Sequence, residues 1–330
     1  MNLIRPYKEA LPKKTIRKVL NVLEEIDLLA LPINWGNPYH EIYSVRVEAV
    51  NDDGKFAANG KGRTQIFALA SAYAELVERI QNQLISGAAG FSKVLLNEIN
   101  HRTGFYYYPD EKPMPRNDFE NLPKELLEDI CSSKSQQVID KFTDYIYSRN
   151  HIVENGGITS VPFYDIQNDK ITYLPYNLLL SLTGSNGMAS GNTISEATYQ
   201  SLCEIYERKA ASTIYYDRLT PPTVDEEYLE LFEKEYEIIK QIRRKGFGVI
   251  VKDFSCNMMM PVVGLILTDK ETNKYRLNVG SDTSFQIALS RTLTEIYQGS
   301  ATYDDIKKYL LDMPNEENSP FLLFKGTKTY

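Results

Sequence analysis

Ser71-Ala72-Tyr73-Ala74-Glu75-Leu76-Val77-Glu78-Arg79 sits inside a helical pattern that runs from about Thr64 to Gln83. Phe67, Ala70, Ala74 and Val77 recur at the spacing of three and four that marks a buried stripe. Ser71, Glu75 and Glu78 run beside that stripe, so one helix face carries a hydroxyl and two carboxylates. Carboxylates three residues apart repel on a solvated helix and call for a cation, which could be Arg79 or a bound metal. A solvated, Glu-rich face is spelled in the same letters, so this stretch alone leaves both readings open.

Working outward, the spacing returns. Glu204-Ile205-Tyr206-Glu207-Arg208 repeats Glu-x-x-Glu-Arg, and Arg291, Glu295 and Gln298 form a third, altered copy. Each follows a glycine-containing turn and a hydroxyl residue suited to cap a helix: Thr64, Thr193 and Ser284. Each cap stands eleven residues before its glutamate (Glu75, Glu204, Glu295), about three helical turns. Thr193 and Glu196 also have the spacing of a capping box. Alternating runs ahead of two of the helices read as β-hairpins, Tyr43 to Val50 turning at 51–54 and Pro261 to Thr268 turning at 269–273. The pattern is an internal repeat of hairpin, glycine turn and acidic helix. It implies a single α+β domain over 1–330, with mostly antiparallel strands behind three acidic helices that converge on one cleft.

With these motifs the chain resembles the YcaO-domain family of ATP-dependent enzymes that activate backbone amides. The family's Ser-x3-Glu-x2-Glu-Arg, Glu-x2-Glu-Arg and Glu-x2-Gln signatures stand at Ser71/Glu75/Glu78/Arg79, Glu204/Glu207/Arg208 and Glu295/Gln298. The text runs nearest the enterobacterial type: N-G-K-G at 59–62, Y-P-x-E-K at 108–112, S-N-G-M at 185–188, G-N-T at 191–193 and L-T-E-I-Y-Q-G at 293–299. The resemblance implies a YcaO-like fold and ATP with Mg2+ as cofactors. The implied reaction is O-phosphorylation of a peptide or protein amide, giving a thioamide or an azoline. Lys8, Thr15, Asn192 and Glu196 match nucleotide-site positions of the enterobacterial type. A triphosphate is itself anionic, so carboxylates reach it only through cations, and Mg2+ takes oxygen ligands from carboxylates, phosphates and water. Glu75, Glu78, Glu196, Glu204, Glu207 and Glu295 are the candidate metal ligands. Ser71, Arg79, Arg208 and Arg291 are candidate nucleotide contacts, the arginines through their forked geometry. Arg291, Glu295 and Gln298 are the candidate catalytic set. The implied partners are a peptide or protein substrate and a separate peptide-presenting or sulfur-supplying protein, with a homodimer left open. An accessory protein that binds nucleotide without turnover is the rival reading.

A net charge of -7 argues against nonspecific nucleic-acid binding, and no apolar run approaches the length of a membrane span. Cys131, Cys203 and Cys256 form an odd, scattered set, pointing to a reducing cytoplasm rather than a disulfide frame. His40, His101 and His151 lack ligand spacing.

The rest of the chain reads as follows. Residues 1–42 form an N-terminal helical segment, with a helix over Lys13 to Ile26. Gly60-Lys61-Gly62 reads as a glycine turn feeding a helix, which can cradle phosphate, with Lys61 a phosphate contact or an ordinary turn lysine. It is not a P-loop, since Gly62 stands where Ser or Thr would bind magnesium. Pro109 to Asn150 is an excursion with a helix near Ser133 to Ser148, and Tyr106 to Tyr108 are core or edge residues or a peptide platform. Cys203 reads as a structural thiol and Met258 to Met260 as core filling. Asp225 to Arg244 reads as one long solvated helix. The C-terminal end reads as shortened beside the family.

Overall fold

The computed structural model describes residues 8–51, 54–82, 101, 103–148, 153–154, 156–269, 271–300 and 302–312. The turn at 52–53 and the polar stretch beyond 312 lie outside them. In chain order the described elements are α1 (Pro12–Glu25), β1 (Leu29–Tyr39), β2 (Ile42–Asn51), β3 (Gly54–Gly62), α2 (Gln65–Gln81), β4 (Lys112–Met114), α3 (Arg116–Glu120), α4 (Lys124–Ile130), α5 (Gln136–Tyr147), β5 (Val153–Glu154), β6 (Gly157–Asp165), β7 (Lys170–Pro175), α6 (Tyr176–Thr183) and α7 (Ile194–Tyr216). There follow α8 (Glu226–Glu230), α9 (Glu233–Arg244), β8 (Phe247–Asp253), β9 (Val262–Asp269), β10 (Lys274–Ser281), α10 (Phe285–Ile296), a 3-10 turn (Tyr303–Tyr309) and β11 (Leu311–Asp312). Among the described residues every strand pairing is antiparallel, in line with the mostly antiparallel sheet the sequence implied. Contacts gather the chain into two compact units, Met1–Arg79 with Gly187–Tyr330, and Ile80–Asn186.

The first unit holds two sheets, β1-β2-β3 and β11-β10-β9-β8. In β9 the run Val-Val-Gly-Leu-Ile-Leu is buried on both faces, as expected of a strand covered from both sides. Val263, Leu265 and Leu267 pack with Ile238, Ile239 and Ile242 of α9 and Ala288, Leu289 and Leu293 of α10. Val262 and Ile266 pack on the other side with Ala210 and Ile214 of α7. The second sheet is therefore sandwiched, with α7 on one face and α9 and α10 on the other.

The first sheet is covered by α2, and here the buried side is not the expected stripe but lies roughly on the opposite side of the helix. Ala68, Ala72, Tyr73 and Leu76 are buried, while Phe67, Ala70, Ala74 and Val77 are only half-buried. The reason lies in β3. A Cβ on Gly60 would overlap the Ala68 carbonyl oxygen and the Ala72 amide, and would stand 2.7 Å from the Ala72 Cβ. The helix presses so close that alanines, not the larger residues, face the strand. Gly60-Lys61-Gly62 is thus the end of a strand rather than a phosphate-cradling turn, its glycines are used up by helix packing, and Lys61 points to the opposite face. β10 and α10 repeat the arrangement: a Cβ on Gly280 would meet the Ala288 carbonyl oxygen at 3.1 Å and overlap the Thr292 hydroxyl. Gly60 to Ala68 and Ala72 are the same sequence steps as Gly280 to Ala288 and Thr292. The hairpin β6–β7, by contrast, belongs to the second unit and leads first into α6.

Three further expectations are corrected. In the N-terminal segment 1–42, the described residues 8–42 hold helix α1 and then the long strand β1, which pairs with β2. Asp225 to Arg244 is two helices, broken at Leu231-Phe232, and Ile238, Ile239 and Ile242 turn one side of α9 into core rather than a wholly solvated surface. Of Met258 to Met260, Met258 packs against the core around Phe254 as expected, whereas Met259 is 98% exposed and fills no core.

The second unit packs α3, α4 and α5 against the sheet β4-β6-β5, to which β7 adds. Its core is built from Met114, Phe119, Leu127, Ile130, Ile139, Ile146 and Ile158. Glu111 accepts the amides of Tyr106 (2.6 Å) and Tyr107 (2.7 Å), and Tyr107 is buried edge-on to Tyr176 at 5.1 Å. That makes Tyr107 a core residue, not part of a peptide platform.

Candidate functional site

Every candidate nucleotide, metal and catalytic residue lies in the first unit. α7 supplies the longest row. Glu196, Gln200, Glu204 and Glu207 follow one another at steps of four, four and three, hence on one face, along about 16 Å of helix.

At its N-terminal end, Glu196 is buried and held. Lys8 Nζ donates to Glu196 Oε1 at 2.7 Å, the Glu9 amide to Oε2 at 3.1 Å, and Asn192 Nδ2 to both oxygens at 3.1 and 3.0 Å. Thr15 Oγ1 donates to Asn192 Oδ1 at 2.9 Å. Burial works to raise the Glu196 carboxyl, but the hydrogen bonds of Lys8, Asn192 and the Glu9 amide outweigh it and leave it below the ordinary range. Thr193 caps the helix by accepting the Glu196 amide at 3.2 Å. The return half of the capping box is not made, because the Glu196 carboxylate is turned to Lys8 and Asn192. The four positions Lys8, Thr15, Asn192 and Glu196, scattered over almost two hundred residues of sequence, form one hydrogen-bonded group.

Toward the other end, α7 meets α2, α10 and β3. Burial pushes the Glu78 carboxyl up to about 7, with Arg79 opposing and the charges of Glu75 and Glu204 adding to it, and the Ser190 amide donating to it. Burial likewise raises Glu207, against the pull of Arg291, Arg208 and Lys61, with Glu204 adding repulsion. Lys61 forms an ion pair with Glu295 and donates to Gln298 Oε1 at 2.8 Å. Arg291 Nη1 donates to Gln200 Oε1 at 2.8 Å. Arg79 lies loosely between Glu75 (3.5 Å) and Glu78 (4.0 Å), and Arg208 lies 3.5 Å from Glu204. Ser71 is half-buried one turn before Glu75. Glutamates from three helices and a lysine from a strand thus act on one another in a single cluster.

Among the described residues no three carboxylate, imidazole or thiol groups stand close enough together to hold a metal ion. The donor chemistry nonetheless fits a hard divalent cation. The donors are oxygens, and Glu78 and Glu207 are buried anions whose charge the nearby arginines compensate incompletely. Closing around an ion requires Lys61, Arg79 and Arg208 to turn from the carboxylates toward the ligand.

Gln200 and the Ser190 amide were not foreseen. Gln200 was legible, since it stands four residues before Glu204 on the same face; the Ser190 contact is a backbone donor and leaves no letter in the sequence. Cys203 is wholly buried and its thiol is raised by burial, in keeping with a structural role.

The Glu78 carboxyl makes stability pH-dependent. Its folded pKa of about 7 exceeds the ordinary 4.5, so the folded chain binds more protons than the unfolded one between these values. Stability contributed at low pH is lost as pH rises from about 4.5 through 7. Side-chain exposure of Glu78 is only 12%, and the full window corresponds to up to about 3 kcal/mol. Urea melts in chelator are expected to find Glu78→Gln equal to wild type near pH 5 and more stable at pH 8. An unchanged difference across that range contradicts the assignment.

Among the described residues no helix is long and apolar enough to cross a membrane. A family model described as YcaO cyclodehydratase, ATP- and Mg2+-binding, matches residues 59–324. The chain is 27% identical over 299 residues to the ribosomal protein S12 methylthiotransferase accessory factor YcaO of Escherichia coli (strain K12), covering 91% of this chain and 50% of that protein. A Haemophilus influenzae protein is 26% identical over 297 residues, covering 90% and 50%. The chain therefore spans about half the length of the curated relatives it matches. Among solved structures, a heterocyclase in complex with substrate and cofactor aligns with a TM-score of 0.64 at 18% identity, covering 98% of this chain and 46% of that one. YcaO from Methanopyrus kandleri bound with AMPPCP and Mg2+ aligns at 0.56 and 17%, covering 95% and 72%. At those identities the likeness is one of fold, and it agrees with the α+β architecture described above. With the matched residues covering most of its length, the chain belongs to the YcaO family.

Proposed function

We propose that this protein is an ATP- and Mg2+-dependent enzyme that activates a peptide or protein backbone amide by O-phosphorylation, giving a thioamide or an azoline. The observation that carries the reading is the gathering of Glu75, Glu78, Glu204, Glu207 and Glu295 with Lys61, Arg79, Arg208 and Arg291 into one electrostatic cluster. The family description and the ligands of the M. kandleri structure support it.

The row on α7 divides the work. Its N-terminal end, with Lys8, Thr15, Asn192 and Glu196, takes the nucleoside side of ATP. Glu196, expected among the metal ligands, is better assigned here, because its oxygens are engaged by Lys8, Asn192 and the Glu9 amide. The glutamates of the other end would hold Mg2+, which supplies charge neutralisation to the triphosphate. Lys61, Arg79 and Arg208, on leaving the carboxylates they pair with, and Arg291, on leaving Gln200, would contact phosphate oxygens, with Ser71 beside Glu75 as a further polar contact. An amide carbonyl is a poor electrophile because its oxygen leaves badly. A nucleophile, either an internal Cys, Ser or Thr side chain or an external sulfide, adds to the carbonyl carbon and places charge on that oxygen. The oxyanion then takes the terminal phosphoryl group, ADP departs, and loss of phosphate completes the replacement. Arg291, Glu295 and Gln298 would line the end of the cluster where the carbonyl lies: Arg291 and Gln298 as donors to the developing negative charge, and Glu295 through the Mg2+ it would help to hold.

That the E. coli relative is an accessory factor of a methylthiotransferase favours a second reading, a nucleotide-binding accessory protein that assists a partner enzyme without turnover. Release of phosphate from ATP with candidate peptides, with and without sulfide, separates the two. Mass spectrometry of the co-expressed peptide is expected to find sulfur in place of oxygen, or loss of one water. An unmodified peptide and no peptide-dependent phosphate release overturn the enzyme reading.

A further inference from the structure

The face of the first sheet turned away from α2 carries a second feature. A cleft of about 310 Å³ opens there, lined by Arg46 of β2, Trp35 of β1, Arg276 of β10, and by Gln298, Ser300 and Tyr309. No carboxylate lines it; the acid next along β2 on the same face, Glu48, lies outside. Among the described residues neither arginine has an acidic partner. Arg276 Nε donates to Asn278 Oδ1 at 3.0 Å, and its guanidinium lies 5.6 Å from the centre of the Tyr309 ring. In a chain of net charge -7, where acids outnumber bases, two such arginines in one cleft mark a place suited to an anion. Ser300 adds an independent sign: it is wholly buried, it lines the cleft, and its hydroxyl finds no hydrogen-bond partner among the described residues.

Two observations narrow the anion to one carried on a peptide. β1 is an edge of its sheet among the described residues, and Leu29 and Leu31, 64% and 51% exposed, lie on the same face as Arg46 by their pairing with Val50 and Glu48. An apolar row on a strand edge that ends in a cationic cleft suits an extended peptide bearing a carboxylate. Gln298 is also shared between the cleft and the glutamate cluster, since Oε1 accepts from Lys61 and Nε2 donates to the Asn59 carbonyl at 2.7 Å.

We propose that this cleft binds the carboxylate of a peptide, held by Arg46 and Arg276, with the peptide's apolar side chains along β1. That the peptide is the substrate rests on the amide-activating reading above; that it binds does not, and needs no nucleotide. Trp35 is the only tryptophan in the chain and is among the residues lining this cleft, so its emission serves as the probe. The full chain, free of nucleotide, is titrated with acetyl-Leu-Ala-Leu acid, the same peptide as its amide, acetyl-Leu-Ala-Asp amide, and inorganic phosphate. A saturable change is expected with the peptides that carry a carboxylate, and the tighter of the two identifies a terminal or a side-chain group. The neutral amide is expected to bind at least about tenfold more weakly. Arg46→Gln and Arg276→Gln are each expected to raise Kd by about tenfold or more. If the Arg276 variant loses its fold through its contact with Tyr309, Arg46→Gln, on the open sheet face, carries the test. Equal binding of acid and amide, equal binding of phosphate, or wild-type affinity in the folded arginine variants overturns the proposal.

Discussion

Glu207→Gln is expected to lower ATP turnover by roughly a hundred- to a thousandfold while leaving the protein as stable as wild type or more so. Both halves follow from its position. Burial raises the Glu207 carboxyl, and Arg291, Arg208 and Lys61 compensate only in part, so without a cation the charge is a liability to the fold. Glutamine keeps the shape and removes that charge. A structural glutamate would behave in the opposite way, with function and stability falling together. Steady-state phosphate release and a urea melt on the same preparation distinguish the two, and a variant that loses stability but keeps its rate contradicts the assignment. Retained stability with lost activity is the pattern of a site whose charge is arranged for a ligand rather than for folding.

Gly60→Ala is expected to be the most damaging single-methyl change in the first sheet. Its Cβ would overlap two backbone atoms of α2, at Ala68 and Ala72, and backbone yields far less readily than a side-chain tip. The helix must lift from the strand or the strand must twist, at a cost on the order of 3 kcal/mol or more. Because α2 carries Glu75 and Glu78, nucleotide affinity is expected to fall as well. Gly280→Ala meets the movable Thr292 hydroxyl and an Ala288 carbonyl at 3.1 Å, so a milder loss is expected. Thermal melts of the two variants check the order; equal, negligible losses contradict the packing argument.

Much of this was legible in the letters. The steps from Thr64 to Glu75, Thr193 to Glu204 and Ser284 to Glu295 located three helices, because a cap and an acidic face are both local features. α2, α7 and α10 begin one residue after those positions; Thr64 and Thr193 accept a helix amide there, while the Ser284 side chain makes no capping hydrogen bond. What the letters hid was close approach between elements. Gly60 and Gly62 looked like a turn because glycine is shared by turns and by strands pressed against helices, and only the Ala68 and Ala72 partners tell them apart. The buried side of α2 was hidden for the same cause: both sides of the helix carry two alanines and two larger apolar residues, and only contact with the β3 glycines selects Ala68 and Ala72. Glu196 spelled a capping box, and the competing partner, Lys8, lies at the other end of the unit in sequence. Arg46 and Arg276 were invisible as a pair, since nothing in an isolated β-strand announces which cation it will face.

The central claim is that carboxylates on three helices hold a nucleotide through divalent cations. Isothermal titration of ATP into the protein, with Mg2+ and again with excess chelator, tests it most directly. Saturable binding that vanishes on chelation is predicted. Absence of binding, or binding of equal affinity in chelator, would contradict it.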